Sequence, residues 1–333
     1  MKKLLIAILV CALFIAGCSE KITETTGPVQ EDQVQEGAQT ETTAISPGKI
    51  LHNGLHTDQD RGLWIINTDG TGLYKVVNKY VDGKWSPRGD KISYKMSKSI
   101  FIMNPDTSQK KEIARTDEAL GEYYWTPDSR YIVFEEGSGI RAVDMNTYSE
   151  TVLTGDSSDQ MQKGSSPAYP EKDRIAYIFE DKIYKVNTDG TNTEIWLDLK
   201  NPQALKASPD GIYLSFSDDG AFWIAKDEKN TEDMTKVADG VVVNYEWSPD
   251  SKKIVFEIAG EKFYIYNLQS KTSVTVQKNS EDRFSWSPDS QWIAFTFKSP
   301  DTYEDVWVVK ADGTGLQKLI ACPTACEKPD WGP

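Results

Sequence analysis

The stretch Trp247-Ser248-Pro249-Asp250-Ser251-Lys252-Lys253-Ile254-Val255-Phe256 contains a turn followed by a strand. Proline pre-sets φ for the first corner of a turn, and Ser and Asp side chains can hydrogen-bond the nearby backbone amides. Ile254 and Phe256 then follow at the i, i+2 spacing that places two side chains on one face of a strand. The stretch therefore predicts a β-hairpin centred on Ser-Pro-Asp-Ser.

This pattern repeats along the chain, with a proline at the same place in each copy. The seven prolines, 39 to 45 residues apart, are Pro87, Pro127, Pro170, Pro209, Pro249, Pro288 and Pro333. Two residues before each lies Trp or Ala, and an aliphatic and an aromatic residue lie five and seven residues after each of the first six. A third strand follows, and several copies then have an Asp-Gly turn to a fourth. Four short antiparallel strands per repeat predict an all-β fold, the β-propeller.

The two ends of this repetitive region together complete one repeat. Residues near Ile50, Trp64 and Leu73 supply strands two to four without a first strand, whereas residues 328–333 supply a first strand without its partners. Joining them predicts a seven-bladed β-propeller of four-stranded antiparallel blades, in which the C-terminal strand joins the N-terminal blade and closes the ring. Because closure leaves no long unpaired sheet edge, residues 48–333 are expected to form one domain.

The N-terminus has the features of a lipoprotein leader. Lys2 and Lys3 precede an apolar run over residues 4–16 that is too short to span a bilayer and is typical of a secretory signal. The small residues before Cys18 resemble the lipobox of bacterial-type lipoproteins, and this resemblance implies cleavage before Cys18 and lipid attachment to it. Residues 1–17 are therefore predicted to be a lipoprotein signal peptide. The alternative is a plain signal peptide that contains a cysteine.

Residues 18–47 are predicted to be the lipidated cysteine and a disordered tether. Residues 19–47 contain no aromatic residue and many Thr, Gln and Glu, so they cannot bury enough apolar area to offset the entropy of ordering. Two or three acyl chains anchor a protein stably, whereas one does so only marginally. We therefore expect an extracytoplasmic protein, on the periplasmic or cell-surface side, that is anchored to a membrane by lipid.

The repeats resemble a known family. Trp-Ser-Pro-Asp-Ser, Ile-Val-Phe and the strand that ends in Ala-Asp-Gly are similar to the WD40-like propeller repeats of the periplasmic TolB family, and the similarity covers the whole body after the tether. TolB proteins have six blades and a separate N-terminal α/β domain, and neither is predicted here. The resemblance implies the propeller fold and says little about function, because such propellers serve binding proteins and hydrolases alike.

Composition excludes several classes of function. The formal charge is −14 and no basic block occurs, so binding to nucleic acid through phosphate contacts is not expected. His52 and His56 are the only histidines, which leaves little room for His-dependent catalysis or a multi-His metal site. The sequence contains no Gly-x-Ser-x-Gly, Walker or dinucleotide-binding motif, and its abundant carboxylates single out no catalytic pair. We therefore predict that the protein is not an enzyme.

Two loops between the second and third strands, in the first and last blades, are about five residues longer than the others. Once the ring closes these blades are neighbours, and insertions on a rigid scaffold are common binding sites. The candidate binding residues in these loops are His56, Asp58, Asp60, Asp301, Tyr303, Glu304 and Asp305. One interpretation is an acidic recognition patch or a Ca²⁺ site, since oxygen ligands suit that ion; the other is a solvated acidic face. Without an EF-hand spacing, no metal site is assigned.

The histidines and the remaining cysteines are interpreted structurally. His52 occupies the aromatic position of its repeat and is predicted to be a packed strand residue, while His56 lies in the loop. Their His-x-x-x-His spacing would suit zinc on a helix, but this segment is predicted as strand and loop. Cys11 leaves with the signal and Cys18 is lipidated, so Cys322 and Cys326 are predicted to form a disulfide in an extracytoplasmic protein.

The function predicted from the sequence is binding or scaffolding. One propeller face would bind an envelope protein, peptide or glycan, while the lipid holds the protein at the membrane. The alternative is an extracytoplasmic glycan lyase or hydrolase that uses carboxylates or a bound divalent cation on the same face.

Overall fold

The structure is a computed structural model, and it describes residues 44–56, 60–137, 139–154, 165–171, 173–226, 234–259, 262–276, 280, 283–298 and 303–333. The predicted signal peptide, the lipidation of Cys18 and most of the tether lie outside these residues. Within the described ranges, no helix has the length and apolar character needed to cross a membrane.

The described chain forms 28 strands in seven sheets, numbered here as blades. Blade 1 consists of β1 (Lys49–Leu55), β2 (Arg61–Asn67), β3 (Tyr74–Val77) and β28 (Ala325–Gly332). Blade 2 has β4 (Asp82–Trp85), β5 (Ile92–Met96), β6 (Ser99–Met103) and β7 (Lys111–Arg115), and blade 3 has β8 (Leu120–Trp125), β9 (Tyr131–Glu136), β10 (Gly139–Asp144) and β11 (Glu150–Thr154). Blade 4 has β12 (Ser165–Glu171), β13 (Arg174–Phe179), β14 (Lys182–Asn187) and β15 (Glu194–Asp198).

Blade 5 has β16 (Gln203–Ala207), β17 (Tyr213–Asp218), β18 (Ala221–Lys226) and β19 (Thr235–Asp239). Blade 6 has β20 (Val242–Trp247), β21 (Lys253–Ile258), β22 (Phe263–Asn267) and β23 (Thr272–Val276). Blade 7 has β24 (Ser285–Trp286), β25 (Trp292–Lys298), β26 (Glu304–Lys310) and β27 (Gln317–Ile320). Each blade is a four-stranded antiparallel sheet, so the predicted all-β, seven-bladed fold is confirmed.

The ring closes through blade 1, as predicted. Strand β28 pairs antiparallel with β1 from Lys49 opposite Gly332 to Leu55 opposite Ala325. A guanidinium group reinforces this closure, because Arg283 before blade 7 reaches across β28 to blade 2. Its Nη1 lies 3.0 Å from Asp82 Oδ1, and its Nη2 donates hydrogen bonds to the Gly83 and Lys328 carbonyl oxygens at 2.6 and 3.2 Å. Three blades are thus joined by one side chain.

The Ser-Pro-Asp turns form the predicted hairpins and also link neighbouring blades. In blade 6, Ser248 Oγ donates to Asp250 Oδ1 at 2.7 Å and accepts from the Lys253 amide at 2.9 Å, as expected for a turn stabilised by its own side chains. The Asp250 amide then donates to Ser290 Oγ of the next blade's turn at 3.0 Å. The sequence pattern predicts the turn, and the link between blades is an additional finding.

The core lies between the blades and consists largely of the second-strand residues that the repeat predicts. The aromatic residue seven positions after each proline is at most 1% exposed in six blades: Tyr94, Phe134, Tyr177, Phe216, Phe256 and Phe295. His52 holds the equivalent position in blade 1 and is 0% exposed, as predicted for a packed residue. The regular burial of this position explains why the aromatic residue recurs.

Candidate functional site

The first strand of each blade borders the centre of the ring, and one repeat position on it lines a central cavity. This position directly precedes the Trp or Ala of the repeat, so it points away from the interblade core by the two-residue period of a strand. The residues at this position that line the cavity are Tyr124, Pro167, Lys206, Glu246 and Asp330. This position therefore contributes one residue to the cavity lining from each of five blades, and the other lining residues include Trp85 of blade 2 and Trp286 of blade 7.

The cavity lies at the end of the ring where the Ser-Pro-Asp turns gather. Its volume is about 520 Å³, within the usual range for ligand pockets. Its proline lining, which comes mainly from these turns, consists of Pro87, Pro127, Pro167, Pro209, Pro249, Pro288 and Pro333. The neighbouring tryptophans Trp247, Trp286 and Trp331 are at most 5% exposed. The rim is therefore rigid and largely apolar, and it presents proline rings more than indole faces.

One ion pair stands in the wall of the cavity. Lys206 Nζ lies 2.7 Å from Glu246 Oε2, between blades 5 and 6. The ammonium also donates to the Tyr245 carbonyl oxygen and lies 4.9 Å from the centre of the Tyr245 ring. Both charged side chains keep part of their surface in solvent, at 29% and 40%. The pair thus offers a cation and an anion to a ligand in the cavity.

A second set of charged side chains, which includes Lys84 and Asp330, lies between blades 1, 2 and 3. Burial lowers the pKa of Lys84 to about 8, although Asp82 attracts its charge. Burial also raises the pKa of Asp330, although Arg283 and the Trp85 amide favour its ionised form. Perturbed pKa values of this kind gather at functional sites as well as in structural ion pairs. Of these two groups, Asp330 lines the cavity, together with the Lys206–Glu246 pair.

Two predicted loop carboxylates that the structure describes, Asp60 and Asp305, are each paired with a lysine. Asp60 is paired with Lys75 on β3. Asp305 is 2% exposed, and its Oδ1 accepts from the Cys322 amide at 2.9 Å while Oδ2 lies 2.6 Å from Lys318 Nζ. Strand β26 begins at Glu304 and carries Asp305 into the blade, so this carboxylate is buried.

The other predicted loop residues have different positions. Tyr303 is 56% exposed directly before β26, and Glu304 is half-buried at the first position of that strand, opposite Lys298. Asp58 and Asp301 lie outside the described residues.

Instead, the structure brings the first-blade loop against the cysteine loop. The Sγ atoms of Cys322 and Cys326 are joined in a disulfide, and the Thr324 hydroxyl between them donates to the Leu55 carbonyl oxygen at 3.2 Å. His56 follows Leu55 and packs against the rings of His52 and Trp64. We name His52, His56, Cys322 and Cys326 the seam cluster, since they lie where the chain ends meet.

Sequence reasoning overlooked the central cavity. Its signal was present, because the residue before each Trp or Ala differs in type between blades: Lys84, Tyr124, Pro167, Lys206, Glu246, Ser285 and Asp330. A position that varies this widely within a repeat is one that packing does not dictate.

Comparison with known proteins agrees with the fold. No protein-family profile matches the sequence. The chain is 23% identical over 274 residues to a putative tricorn-like protease C-terminal subunit from Sulfurisphaera tokodaii, a match that covers 78% of this chain and 28% of that protein. The chain thus spans about 28% of the length of the curated relative that it matches.

Two solved structures share the architecture. The crystal structure of TolB from Acinetobacter baumannii superposes with a TM-score of 0.52 at 15% identity, over 86% of this chain and 67% of that one. An oligogalacturonate lyase from Vibrio parahaemolyticus superposes with a TM-score of 0.58 at 13% identity, over 83% and 87%. The protein is therefore a seven-bladed propeller whose fold is similar to those of TolB and the lyase.

Proposed function

We propose that the protein is an extracytoplasmic binding lipoprotein that captures an extended peptide segment of an envelope protein in its central cavity. The observation that carries this proposal is the cavity itself: about 520 Å³, with a rigid proline rim and a wall that contains the Lys206–Glu246 pair. The lipid on Cys18 and the tether over residues 19–47 would hold the propeller at a membrane and let it reach a partner.

The chemistry of the cavity favours a peptide over a glycan. A peptide offers backbone donors and acceptors at regular intervals, and the wall offers an ammonium and a carboxylate within 2.7 Å of each other. Sugar rings bind best on exposed aromatic faces. Of the tryptophans beside this cavity, Trp247, Trp286 and Trp331 are at most 5% exposed, and only Trp125 is partly exposed among those that the structure describes. A proline rim loses little side-chain entropy when it is covered, which favours binding of a flexible chain.

The seam loops are a weaker candidate for this role. Asp60 and Asp305 already have lysine partners, and Asp305 also holds the Cys322 amide. Asp305 is also only 2% exposed, whereas the side chains of the cavity pair Lys206 and Glu246 are 29% and 40% exposed. We accordingly place the peptide site on the face that carries the Ser-Pro-Asp turns, opposite the face that the loop insertions suggested.

An enzymatic role is the second candidate, and one observation favours it. The pKa of Lys84, lowered by burial to about 8, suits a proton carrier near neutral pH. A lyase or hydrolase acting on a glycan would then use Lys84 with the neighbouring Asp330. A screen of oligosaccharide and peptide substrates, with and without chelator, tests this role. Turnover of a substrate by wild type that is lost in Lys84→Ala would show that the protein is an enzyme and would overturn the binding proposal.

The binding proposal is tested by exchanging the charges of the cavity pair. Peptides selected from a phage-displayed library of seven-residue sequences are titrated against wild type and the double variant Lys206→Glu/Glu246→Lys. This exchange keeps an ion pair but reverses its field, so we expect binding at least about tenfold weaker at unchanged thermal stability. The matched control is Lys200→Glu/Asp219→Lys, which exchanges an exposed pair 2.6 Å apart on the opposite face.

The outcomes separate the alternatives. Equal loss of binding in both double variants, or no loss in either, would contradict a peptide site in the cavity. Selection of no peptide, together with binding on a glycan array that Lys206→Glu/Glu246→Lys abolishes, would replace the peptide by a glycan. The anchor is tested separately, since Cys18→Ser should move the protein from the membrane fraction to the soluble fraction.

A further inference from the structure

The seam cluster contains a polar side chain where the repeat calls for an aromatic one. Six blades place Phe or Tyr at this position, and blade 1 places His52, which is 0% exposed. Its Nε2 is buried without a hydrogen-bond partner among the residues that the structure describes. A phenylalanine there would fill the same core without leaving a polar atom unsatisfied, and such unsatisfied groups call for an explanation.

A second histidine lies beside the first in an unusual way. In an extended strand, residues 52 and 56 would be about 13 Å apart. Strand β1 ends at Leu55, however, and the chain bends at His56, so the two imidazole rings have centroids 5.2 Å apart. His56 also packs edge-on to Trp64 at 4.6 Å, and its Nε2 has no hydrogen-bond partner in the described ranges.

The third member of the cluster is a sulfur atom. Cys326 on β28 is opposite Gly54 on β1 and is 0% exposed. A Cβ at Gly54 would lie 3.2 Å from Cys326 Sγ and 3.4 Å from His52 Nδ1, so the glycine leaves the space between them open. One nitrogen from each histidine and the Cys326 sulfur lie within 4.8 Å of one another.

We propose that reduction of the Cys322–Cys326 disulfide creates a zinc site in which His52, His56 and the Cys326 thiolate bind one Zn²⁺ ion. The disulfide and the metal-bound thiolate are then alternative states of one sulfur atom. Nitrogen and sulfur donors suit Zn²⁺, whereas Ca²⁺ requires oxygen ligands. The ligand atoms of a tetrahedral zinc site are on the order of 3.5 Å apart, so the cluster contracts by about 1 Å on binding.

The protonation states of the histidines suit metal binding. His52 Nδ1 lies 3.1 Å from the Asn53 carbonyl oxygen, which can only accept, so Nδ1 carries the proton and Nε2 has the free lone pair. Metal-binding histidines commonly hold their second nitrogen by a hydrogen bond of this kind.

The redox step requires a dithiol reductant. Two electrons and two protons pass from the dithiol to the Cys322–Cys326 bond, which breaks to give two thiols while the dithiol closes to its own disulfide. Zinc binding then releases the proton of the Cys326 thiol to solvent. The Cys322 thiol or a water completes the coordination. Asp305 keeps the cysteine loop in place through its bond to the Cys322 amide.

The test uses the full chain with Cys11→Ser and Cys18→Ser, so that Cys322 and Cys326 are the only cysteines left. Co²⁺ serves as a spectroscopic probe because a thiolate ligand gives an intense charge-transfer absorption, and Zn²⁺ affinity follows from displacement of the cobalt. The reduced chain should bind one Co²⁺ with this absorption, and the oxidised chain should not. Adding Cys322→Ser frees Cys326 permanently and should give binding without reductant.

Two further variants assign the ligands. His52→Phe restores the residue type of the other blades, so it should fold, and we expect it to lower metal affinity by about 100-fold or more. His56→Ala should do the same. Absence of a one-to-one cobalt complex in both the reduced chain and the Cys322→Ser variant would overturn the proposal. So would a complex with unchanged affinity and absorption in His52→Phe.

Discussion

Blades 6 and 1 follow the same four-strand plan and differ at the points where chemistry is expected. Blade 6 is one continuous segment, and its Phe256 contacts the rings of Tyr264 and Phe222 at 5.4 Å each. Blade 1 combines both chain ends, and the equivalent His52 contacts a second histidine next to a disulfide. Residues shared by the blades build the ring, whereas residues that depart from the repeat indicate where a function was added.

The largest expected difference between the blades concerns ring closure. Removing residues 325–333 deletes β28 and leaves β1 as an unpaired edge. We expect loss of the cooperative unfolding transition in circular dichroism and urea denaturation. A chain shortened only by Pro333 retains β28 and should keep the transition. A cooperative transition near the wild-type midpoint in the longer deletion would show that the ring does not depend on β28.

The second prediction compares the two equivalent core positions directly. Phe256→Ala should reduce the free energy of unfolding by about 3–5 kcal/mol, because it removes a fully buried ring and leaves a cavity. His52→Phe should increase the free energy of unfolding by about 1–2 kcal/mol, since it replaces an unsatisfied buried nitrogen. Urea denaturation at pH 7 measures both. A destabilised His52→Phe variant would mean that the histidine packs better than the repeat residue.

The third prediction concerns pH. The folded-state pKa of His52 is about 4, against 6.5 in the unfolded chain, so the unfolded state binds more protons between these values. The free energy of unfolding should therefore fall as the pH drops from 6.5 to 4, by about 3 kcal/mol from this residue. His52→Phe should show that much less loss across the same window. Identical pH profiles for the two proteins would rule out a buried neutral histidine.

The fourth prediction concerns the disulfide. Its loop is very short, so removing the crosslink with Cys322→Ser/Cys326→Ser should cost about 2 kcal/mol of stability. Because the seam cluster and the central cavity occupy different parts of the ring, peptide affinity should not change. Calorimetry measures the stability and titration the affinity. A parallel loss of peptide binding would show that the two regions are coupled.

The repeat in the sequence was sufficient to predict the blades, their number and the closing strand. Positions such as Phe256 are under the same packing constraint in every blade, so one pattern describes them all. The disulfide could also be predicted from the sequence, since Cys322 and Cys326 were the two cysteines left to pair after Cys11 and Cys18 had been assigned to the leader and the lipid anchor.

The site was harder to predict because it depends on departures from the repeat. The proximity of His52 and His56 follows from a bend after β1 that no spacing rule reveals. The pairing of Asp305 with Lys318 depends on how β26 and β27 pack together, and local sequence does not specify this. The cavity residues form a set only after the ring has closed. The composition of both sites therefore depends on side chains that are distant in sequence and come together only in the folded ring.

The claim that the central cavity binds the peptide is tested most directly by photocrosslinking. A benzophenone amino acid replaces Tyr124 in the cavity or, as the comparison, the exposed Tyr303 beside the long seam loop. Each variant is irradiated with a peptide selected from the phage library. We expect a crosslink from position 124 that excess unlabelled peptide prevents, and no crosslink from position 303. A crosslink from position 303 without one from position 124 would contradict peptide binding in the central cavity.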